Sequence, residues 1–172
     1  MIDNGRHGAN WTYAAEETIH TTSAAAAAAC VRRLRRLADR KLRGQIELKA
    51  GSRDMKSAYK QIAMDSDQSA FVVIAVYDMS VERWRFIITR ALLFGLSGSV
   101  LLFNRVPSML VAVARRWLAI PVHAFFDDFR IVDLACEDGS AEFYFDKLMA
   151  FLGWRFDPDK RQEKLSNLPM LG

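Results

Sequence analysis

Residues 123–134 read HAFFDDFRIVDL, two short apolar runs that meet at the adjacent carboxylates Asp127 and Asp128. The β-branched and aromatic residues on each side predict two strands joined by a tight hairpin with an acidic tip. Two like charges this close repel each other, and burial between apolar strands raises their free energy further. A bound cation would relieve this, and carboxylate oxygens favour Mg²⁺. Loop tips are often acidic, however, so an ordinary surface loop is the alternative for the pair taken alone.

The chain around this hairpin predicts a mixed domain of helices and strands. Two strand-like runs flank a turn and predict a second hairpin over residues 71–89. Two later stretches have apolar residues at helical spacing: residues 100–118, followed by Pro121, and residues 140–152, with Gly153 as the C-cap. Hairpins with separate helices, instead of alternating strands and helices, indicate the α+β class.

A basic segment lies upstream of these elements. Residues 30–43 (CVRRLRRLADRKLR) contain seven basic residues and one acid, whereas the net charge of the chain is only +4. Ser23, the alanines after it and the apolar residues at helical spacing predict an N-capped helix over about residues 23–42. Arginines beside an apolar stripe suit contacts with phosphates, and a solvated helix face is an equally good interpretation.

The composition is that of an ordinary globular protein, with 51% hydrophobic residues among 172, enough for one core. Cys30 and Cys136 are far apart and have no Cys or His nearby at metal-ligand spacing, which argues against a disulfide framework and a zinc site. The apolar runs are too short for a bilayer, and the first residues lack the pattern of a secretory signal. We therefore expect an intracellular protein of the cytoplasm or nucleus, not secreted and without a membrane span.

Five blocks of sequence follow one another along the chain, and the third of them contains the aspartate pair. They are residues 54–62 (DMKSAYKQI), residues 92–105 (LLFGLSGSVLLFNR), residues 125–128 (FFDD), residues 152–160 (LGWRFDPDK) and the closing Leu171-Gly172. Together they resemble the palm motifs of retrotransposon reverse transcriptases, which are RNA-directed DNA polymerases. Residues 2–10 are similar to the fingers motif that precedes the palm, so the resemblance covers nearly the whole chain and is weakest over residues 11–49. Leu93 stands where many relatives have Pro, and Phe125 where many have Tyr.

The resemblance implies a polymerase palm, an antiparallel sheet with a ferredoxin-like core backed by two helices, plus partial helical and hairpin fingers. Residues 1–49 would be partial fingers and residues 50–172 the palm, with the fingers hairpin at residues 71–89. The basic fingers residues that grip the triphosphate, the thumb and the ribonuclease H region are expected to be absent from this sequence.

The resemblance also implies a catalytic site. Asp54 and Asp127 would bridge two Mg²⁺ ions, with Mn²⁺ as a possible substitute, and Asp128 would support one ion more weakly. The backbone carbonyl of Met55 would be a further ligand. Lys160 would neutralise or protonate the pyrophosphate, and an ordinary solvated lysine is the alternative.

Residues that contact nucleotide and template follow from the same resemblance. Tyr59 matches the steric gate that excludes a 2′-hydroxyl, with a core aromatic as the alternative. Phe94 and Gly95 match the turn that lines the nucleotide and template site. Nucleic-acid contacts are further expected at the helix after this turn and on the basic segment, at Asn104, Arg105, Arg32, Arg33 and Arg36; packing and surface roles compete at the first two.

These roles imply an RNA-directed DNA polymerase that extends a primer on an RNA or DNA template by two-metal transfer of dNTPs. One alternative is an inactive retroelement remnant that at most binds nucleic acid. Another is a different palm enzyme, such as a nucleotide cyclase, although the blocks around Tyr59 and Phe94 match reverse transcriptases instead. The reverse-transcriptase interpretation requires Asp54 and Asp127 on adjacent antiparallel strands.

Overall fold

A computed structural model of the chain describes residues 18–42, 47–69 and 72–165. The helices among these residues are α1 (Ala24–Leu42), α2 (Ser66–Ser69), α3 (Ser97–Leu118) and α4 (Ser140–Phe151), with 3₁₀ turns at Ala58–Gln61 and Ala135–Glu137. The strands are β1 (Leu48–Asp54), β2 (Val73–Asp78), β3 (Arg83–Ile88), β4 (Val122–Phe125), β5 (Asp128–Leu134) and β6 (Gln162–Leu165). The predicted α+β class is confirmed. The fingers-like residues 2–10 and the closing Leu171-Gly172 lie outside the described residues.

The chain divides into two compact units. Ser57–Phe103 belong to the first unit, and the second contains Ile19–Lys56 together with the chain from Asn104 onward. The second unit holds a four-stranded sheet in the order β4-β5-β1-β6, and every neighbouring pair in it is antiparallel. Because α3 precedes β4 in the chain and α4 lies between β5 and β6, this sheet is built in the sequence strand, helix, strand, strand, helix, strand.

The pairing of β1 with β5 sets the two faces of this sheet. The register runs from Leu48 opposite Leu134 to Asp54 opposite Asp128. Directly opposite residues point to the same side of a sheet, and successive residues alternate between sides. Asp54 and Asp128 therefore share one face, which we call the carboxylate face. Arg53 shares the other face, which we call the α4 face, with Phe129.

Three phenylalanines pack together on the α4 face. Phe129 of β5 and Phe145 of α4 are both 0% exposed, and their ring centroids lie 5.6 Å apart. Phe156 contacts both, at 5.4 Å from Phe129 and 5.7 Å from Phe145, with its ring steeply inclined to each. Such edge-to-face contacts add to the free energy gained from apolar burial. The cluster therefore joins β5, α4 and the chain that follows α4.

The residue pattern did not predict the central strand β1, although the reverse-transcriptase interpretation requires a strand at Asp54. Its residues, LKAGSRD, lack alternation because the strand is buried on both sides in the middle of the sheet. Small residues are needed there: a Cβ added to Gly51 would lie 2.6 Å from Cδ of Glu142 and 2.9 Å from the carbonyl oxygen of Gln162. A glycine at this position thus lets α4 and β6 approach β1 closely.

The predicted helices are observed with shifted ends. The helix predicted over about residues 23–42 is confirmed as α1, and Ser23 caps it by accepting a 3.2 Å hydrogen bond at Oγ from the amide of Ala26. The helix predicted from residue 100 begins at Ser97 and ends at Leu118, where Ala119 takes the left-handed conformation with φ 55°. None of the described helices is both long enough and apolar enough to cross a membrane.

In the first unit, the hairpin predicted over residues 71–89 is confirmed, apart from residue 71, which lies outside the described residues. Its strands β2 and β3 pair from Val73 opposite Ile88 to Asp78 opposite Arg83. Tyr77 and Trp84 face each other across the pair with ring centroids 5.4 Å apart. The side chains on that face are exposed.

We expect Phe129→Ala to lower the free energy of unfolding by about 3–5 kcal/mol, because the truncated side chain leaves a cavity between two other rings. Urea unfolding followed by circular dichroism would measure the loss. Phe151→Ala is the matched control, since Phe151 is 83% exposed and its truncation should change the free energy by less than about 0.5 kcal/mol. Equal effects of the two substitutions would contradict the assignment of the core.

Candidate catalytic site

Three aspartates converge at one end of the β1–β5 pair. Asp54 is the last residue of β1 and lies directly opposite Asp128, the first residue of β5. Asp127 immediately precedes β5, and its carbonyl oxygen accepts a 2.9 Å hydrogen bond from the amide of Met55. Pairing of the two strands therefore brings together residues that are more than 70 positions apart in the sequence.

The turn between β4 and β5 is tight and conformationally demanding. Phe125 of β4 pairs with Asp128, which leaves Phe126 and Asp127 as the two turn residues. Phe126 has φ 51°, a left-handed conformation that is rare for an aromatic residue but suits two-residue hairpin turns. The predicted hairpin is thus present, except that Asp128 lies within a strand and only Asp127 lies at the tip.

Burial and mutual repulsion make the aspartate pair unusual. Burial raises the pKa of Asp127, and the nearby negative charge of Asp54 raises it further. Burial also raises the pKa of Asp128, and the charges of Asp54 and Asp127 add to this, although Arg130 partly offsets the increase. The carboxylates therefore form a site where added positive charge is favourable.

Two basic side chains supply part of that charge. Nζ of Lys160 lies 2.8 Å from Oδ2 of Asp54, and Nη2 of Arg130 lies 2.9 Å from Oδ2 of Asp128. Asp54 accepts this hydrogen bond and raises the pKa of Lys160. The Lys160 side chain is 63% exposed and that of Arg130 only 18%, so the lysine is the more easily displaced of the two.

Lys160 reaches Asp54 because the chain after α4 runs alongside the end of β1. The amide of Lys56 donates to the carbonyl oxygen of Arg155 at 3.0 Å, and the amide of Asp157 donates to that of Asp54 at 2.8 Å. Between them, Met55 and Phe156 form an antiparallel bridge. Sequence blocks that are far apart in the chain thus meet in one site.

Over residues 18–42, 47–69 and 72–165, no three His, Cys, Asp or Glu side chains are grouped so that they could hold a metal ion. Asp54 and Asp128 are instead paired with Lys160 and Arg130. The donor chemistry still fits Mg²⁺, since carboxylate oxygens are hard ligands and a cation would stabilise the charged forms of Asp127 and Asp128, which burial disfavours.

Three residues that support this end of the sheet were not predicted from the sequence. Arg53, which is 2% exposed, forms ion pairs of 2.9 Å with Glu142 and with Asp146 of α4. The acids are four residues apart, so they occupy one face of the helix, where like charges need a cation. An acidic pair at this spacing in an otherwise apolar helix was the signal that could have identified them.

The predicted nucleotide-site residues Tyr59, Phe94 and Gly95 belong to the first unit. The Tyr59 ring stacks on Phe103 at 4.4 Å and meets Phe94 edge-on at 5.3 Å. Gly95 has φ 100°, which a residue with a side chain rarely adopts. These three predicted residues are therefore adjacent and conformationally restricted.

The residues predicted to contact nucleic acid differ from one another in exposure. Arg105 is exposed on α3, and the α1 arginines singled out in the sequence are exposed as well: Arg32, Arg33 and Arg36. Asn104 is only 9% exposed, and its Nδ2 donates a 2.8 Å hydrogen bond to the carbonyl oxygen of His20. This contact favours the packing role for Asn104.

No protein-family model matches the chain, and no curated protein sequence matches it. The resemblance to reverse transcriptases stays a prediction from the five sequence blocks and from residues 2–10.

His123 lies on β4, two residues before Phe125, the residue that pairs with Asp128. It sits opposite Arg130 across the β4–β5 pair, and its Nδ1 is 2.8 Å from Nη2 of Arg115. An arginine only donates, so Nδ1 accepts and the proton of the neutral ring is on Nε2. Nε2 of His123 and Nε of Arg130 are both buried, and neither has a hydrogen-bond partner in the described part of the chain. Burial, followed by the charge of Arg115, lowers the pKa of His123.

We expect the free energy of unfolding to decrease as the pH falls below the ordinary histidine pKa of 6.5. The reason is that His123 binds a proton in the unfolded chain at a pH where it stays neutral in the folded chain. His123→Gln should flatten this part of the curve, since glutamine does not titrate. His20→Gln, at an exposed histidine, is the control for loss of a histidine elsewhere in the chain. Urea unfolding between about pH 5 and 7.5 would measure the free energy of unfolding of the unaltered chain and of both variants. An unchanged slope in His123→Gln would contradict the assignment of the pH dependence to His123.

Proposed function

We propose that this chain is the palm region of an RNA-directed DNA polymerase, which transfers dNTPs to the 3′-hydroxyl of a primer on an RNA or DNA template. The observation that carries the proposal is the convergence of three aspartates: Asp54 directly opposite Asp128, with Asp127 one residue before it. These are the carboxylates of the first and third sequence blocks, and the register of one strand pair joins them.

The fold supports the same proposal. A sheet in the order β4-β5-β1-β6, built as strand, helix, strand, strand, helix, strand, is the arrangement of ferredoxin-like domains. In the palm that we propose, the carboxylates lie on the face of the sheet opposite α4, which leaves that face for a primer terminus. The fold alone does not define a reaction, and the carboxylates supply the chemistry.

The proposed reaction uses two divalent ions, Mg²⁺ or Mn²⁺, which when bound lower the pKa of the attacking hydroxyl and stabilise the leaving oxygen. Asp54 and Asp127 are the residues that would hold them, together with the carbonyl oxygen of Met55. Asp128 is tied to the largely buried Arg130 and would contribute less. This division of roles agrees with the one implied by the reverse-transcriptase resemblance.

Lys160 is suited to a role at the phosphates. Its ammonium group now neutralises Asp54, but an exposed ion pair of this kind contributes little free energy and exchanges readily. Once a cation takes its place on Asp54, the lysine would remain at the edge of the site. From there it could neutralise the negative charge that develops on pyrophosphate.

We assign selection of the nucleotide to Tyr59 in the first unit. Tyr59, held between Phe94 and Phe103, has the restricted ring that a steric gate against a 2′-hydroxyl requires. The exposed arginines of α1 would bind nucleic-acid phosphates in a salt-dependent way. A polymerase with these substrates would act in the cytoplasm or the nucleus.

We expect Asp127→Asn to abolish extension of a DNA primer on an RNA template in Mg²⁺, and to weaken Mn²⁺ binding measured by electron paramagnetic resonance. The amide cannot supply the negative charge that the ions need. Asp65→Asn, at an exposed aspartate of the first unit, is the matched control and should behave as the unaltered chain does. Near-normal extension by Asp127→Asn would refute the metal assignment. An unaltered chain with neither extension nor Asp127-dependent Mn²⁺ binding would instead indicate an inactive remnant.

We expect Tyr59→Ala to raise ribonucleotide incorporation relative to deoxyribonucleotide incorporation by about tenfold or more, because the smaller side chain leaves room for a 2′-hydroxyl. Primer extension with matched rNTP and dNTP concentrations would give the ratio. Tyr77→Ala, at a half-exposed tyrosine of β2, should leave the ratio unchanged. If the two substitutions have the same effect, Tyr59 is a packing residue and not a gate.

A further inference from the structure

Arg53 is a buried arginine with bonds to three separate elements. Its side chain is 2% exposed, the same low value as an apolar core residue. Nε and Nη2 donate to the two carboxylate oxygens of Asp146 at 2.9 and 3.2 Å, and Nη2 also donates to Glu142 at 2.9 Å. Nη1 donates to the carbonyl oxygens of Ser52 and Gln162 at 2.9 and 3.3 Å. The guanidinium group therefore joins β1, α4 and β6 at a single point.

Two neighbouring residues, Gly51 and Arg161, accommodate and extend these hydrogen bonds. Gly51 lies on the same face of β1, and any Cβ there would collide with Glu142 and with the carbonyl group of Gln162. The missing side chain is thus the space through which α4 and β6 reach the guanidinium group. Arg161 is also bound to Asp146, at 3.2 Å, so the cluster holds two cations and two carboxylates.

Charge neutralisation alone does not require an arginine here. A buried ion pair can often be replaced by apolar residues of similar volume without loss of stability, because the charges no longer need to be taken out of water. What an apolar residue cannot supply is a directed bond to the carbonyl oxygen of Gln162. That bond occurs where the β1–β6 register shifts, between Ala50 and Ser52.

The bonded groups are close in sequence to the candidate site. Arg53 immediately precedes Asp54, and Gln162 is two residues after Lys160. Side chains of successive strand residues point to opposite faces, so Arg53 is fixed on the α4 face while Asp54 projects on the carboxylate face. A single guanidinium group thus fixes both chain segments whose side chains form the 2.8 Å Asp54–Lys160 pair.

We propose that Arg53 is a positioning residue, which holds Asp54 and the Lys160 segment in register through Asp146, Glu142 and the carbonyl oxygen of Gln162. This inference rests on the proposed function, because it assigns Arg53 to the metal-binding geometry of the same site. It also predicts a local effect on backbone hydrogen bonds that does not depend on any metal.

The test compares Arg53→Lys with the double variant Arg53→Met with Glu142→Met. Lysine keeps the charge but lacks the planar fork of donors. The double variant removes the cation and one acid together, and Asp146 keeps Arg161 as its partner. It is therefore expected to fold even if a single Arg53→Met variant does not. Lys49→Met is the control, since Lys49 lies on the same strand face but opposite Asp133, near the far end of β5.

Two readouts are measured. The first is Mn²⁺ affinity, which we expect to fall by about 10–100-fold in Arg53→Lys and in the double variant, the range typical of residues that orient metal ligands. The second is amide hydrogen exchange at Met55, Lys56 and Asp157, which donate the hydrogen bonds around Asp54. Exchange there should become at least about tenfold faster, while the amide of Val132, bonded to Pro121 at 2.9 Å, should keep its protection.

The outcomes separate the two proposals. If the double variant has normal stability, normal Mn²⁺ affinity and normal exchange at the three amides, Arg53 is a replaceable core residue and the inference is overturned. It is also overturned if exchange rises equally at Val132, because the effect is then global. If the unaltered chain shows no Asp127-dependent Mn²⁺ binding, the proposed function fails, and selective exchange at the three amides would still show that Arg53 holds the Asp54 segment.

Discussion

The register between β1 and β5 sets both faces of the four-stranded sheet. It places Asp54 opposite Asp128, and it sends Arg53 and Phe129 to the opposite face. A shift by one residue would exchange the two faces, burying Asp54 against α4 and exposing Arg53. The buried bonds of Arg53 and the aromatic contacts of Phe129 with Phe145 oppose that shift, because both groups would lose all their partners.

Charge balance is the second organising feature, and it differs between the faces. On the α4 face, Arg53 and Arg161 neutralise two acids of one helix, and the ion pair between Arg53 and Glu142 is almost fully buried. On the carboxylate face, burial raises the pKa values of Asp127 and Asp128, while an exposed lysine and an arginine compensate only in part. The first arrangement is closed and suits a structural role. The second can still accept positive charge, which is what a cation-dependent site requires.

Much of the fold was predictable because its strongest signals are local. The alanine-rich basic helix, the β2–β3 hairpin and the strands around Asp127 and Asp128 follow from residue spacing, capping and turn chemistry. The strands β1 and β6 did not follow from the residue pattern, and only the resemblance required a strand at Asp54. β1 carries small and polar residues because both of its neighbours and α4 press against it, and that pattern becomes intelligible only when Glu142 and Gln162 are in place next to Gly51.

The amino-acid sequence already indicated the candidate residues, which are the three aspartates, Lys160, and the block around Tyr59 and Phe94. The folded chain groups them, pairing Asp54 with Lys160 and Asp128 with Arg130. It also revealed Arg53, because a buried charge is identified by partners that lie 89 and 93 residues away. Local patterns predict helices, turns and single strands, whereas the pairing of distant strands is settled by burial and long-range hydrogen bonds that no short stretch of sequence contains.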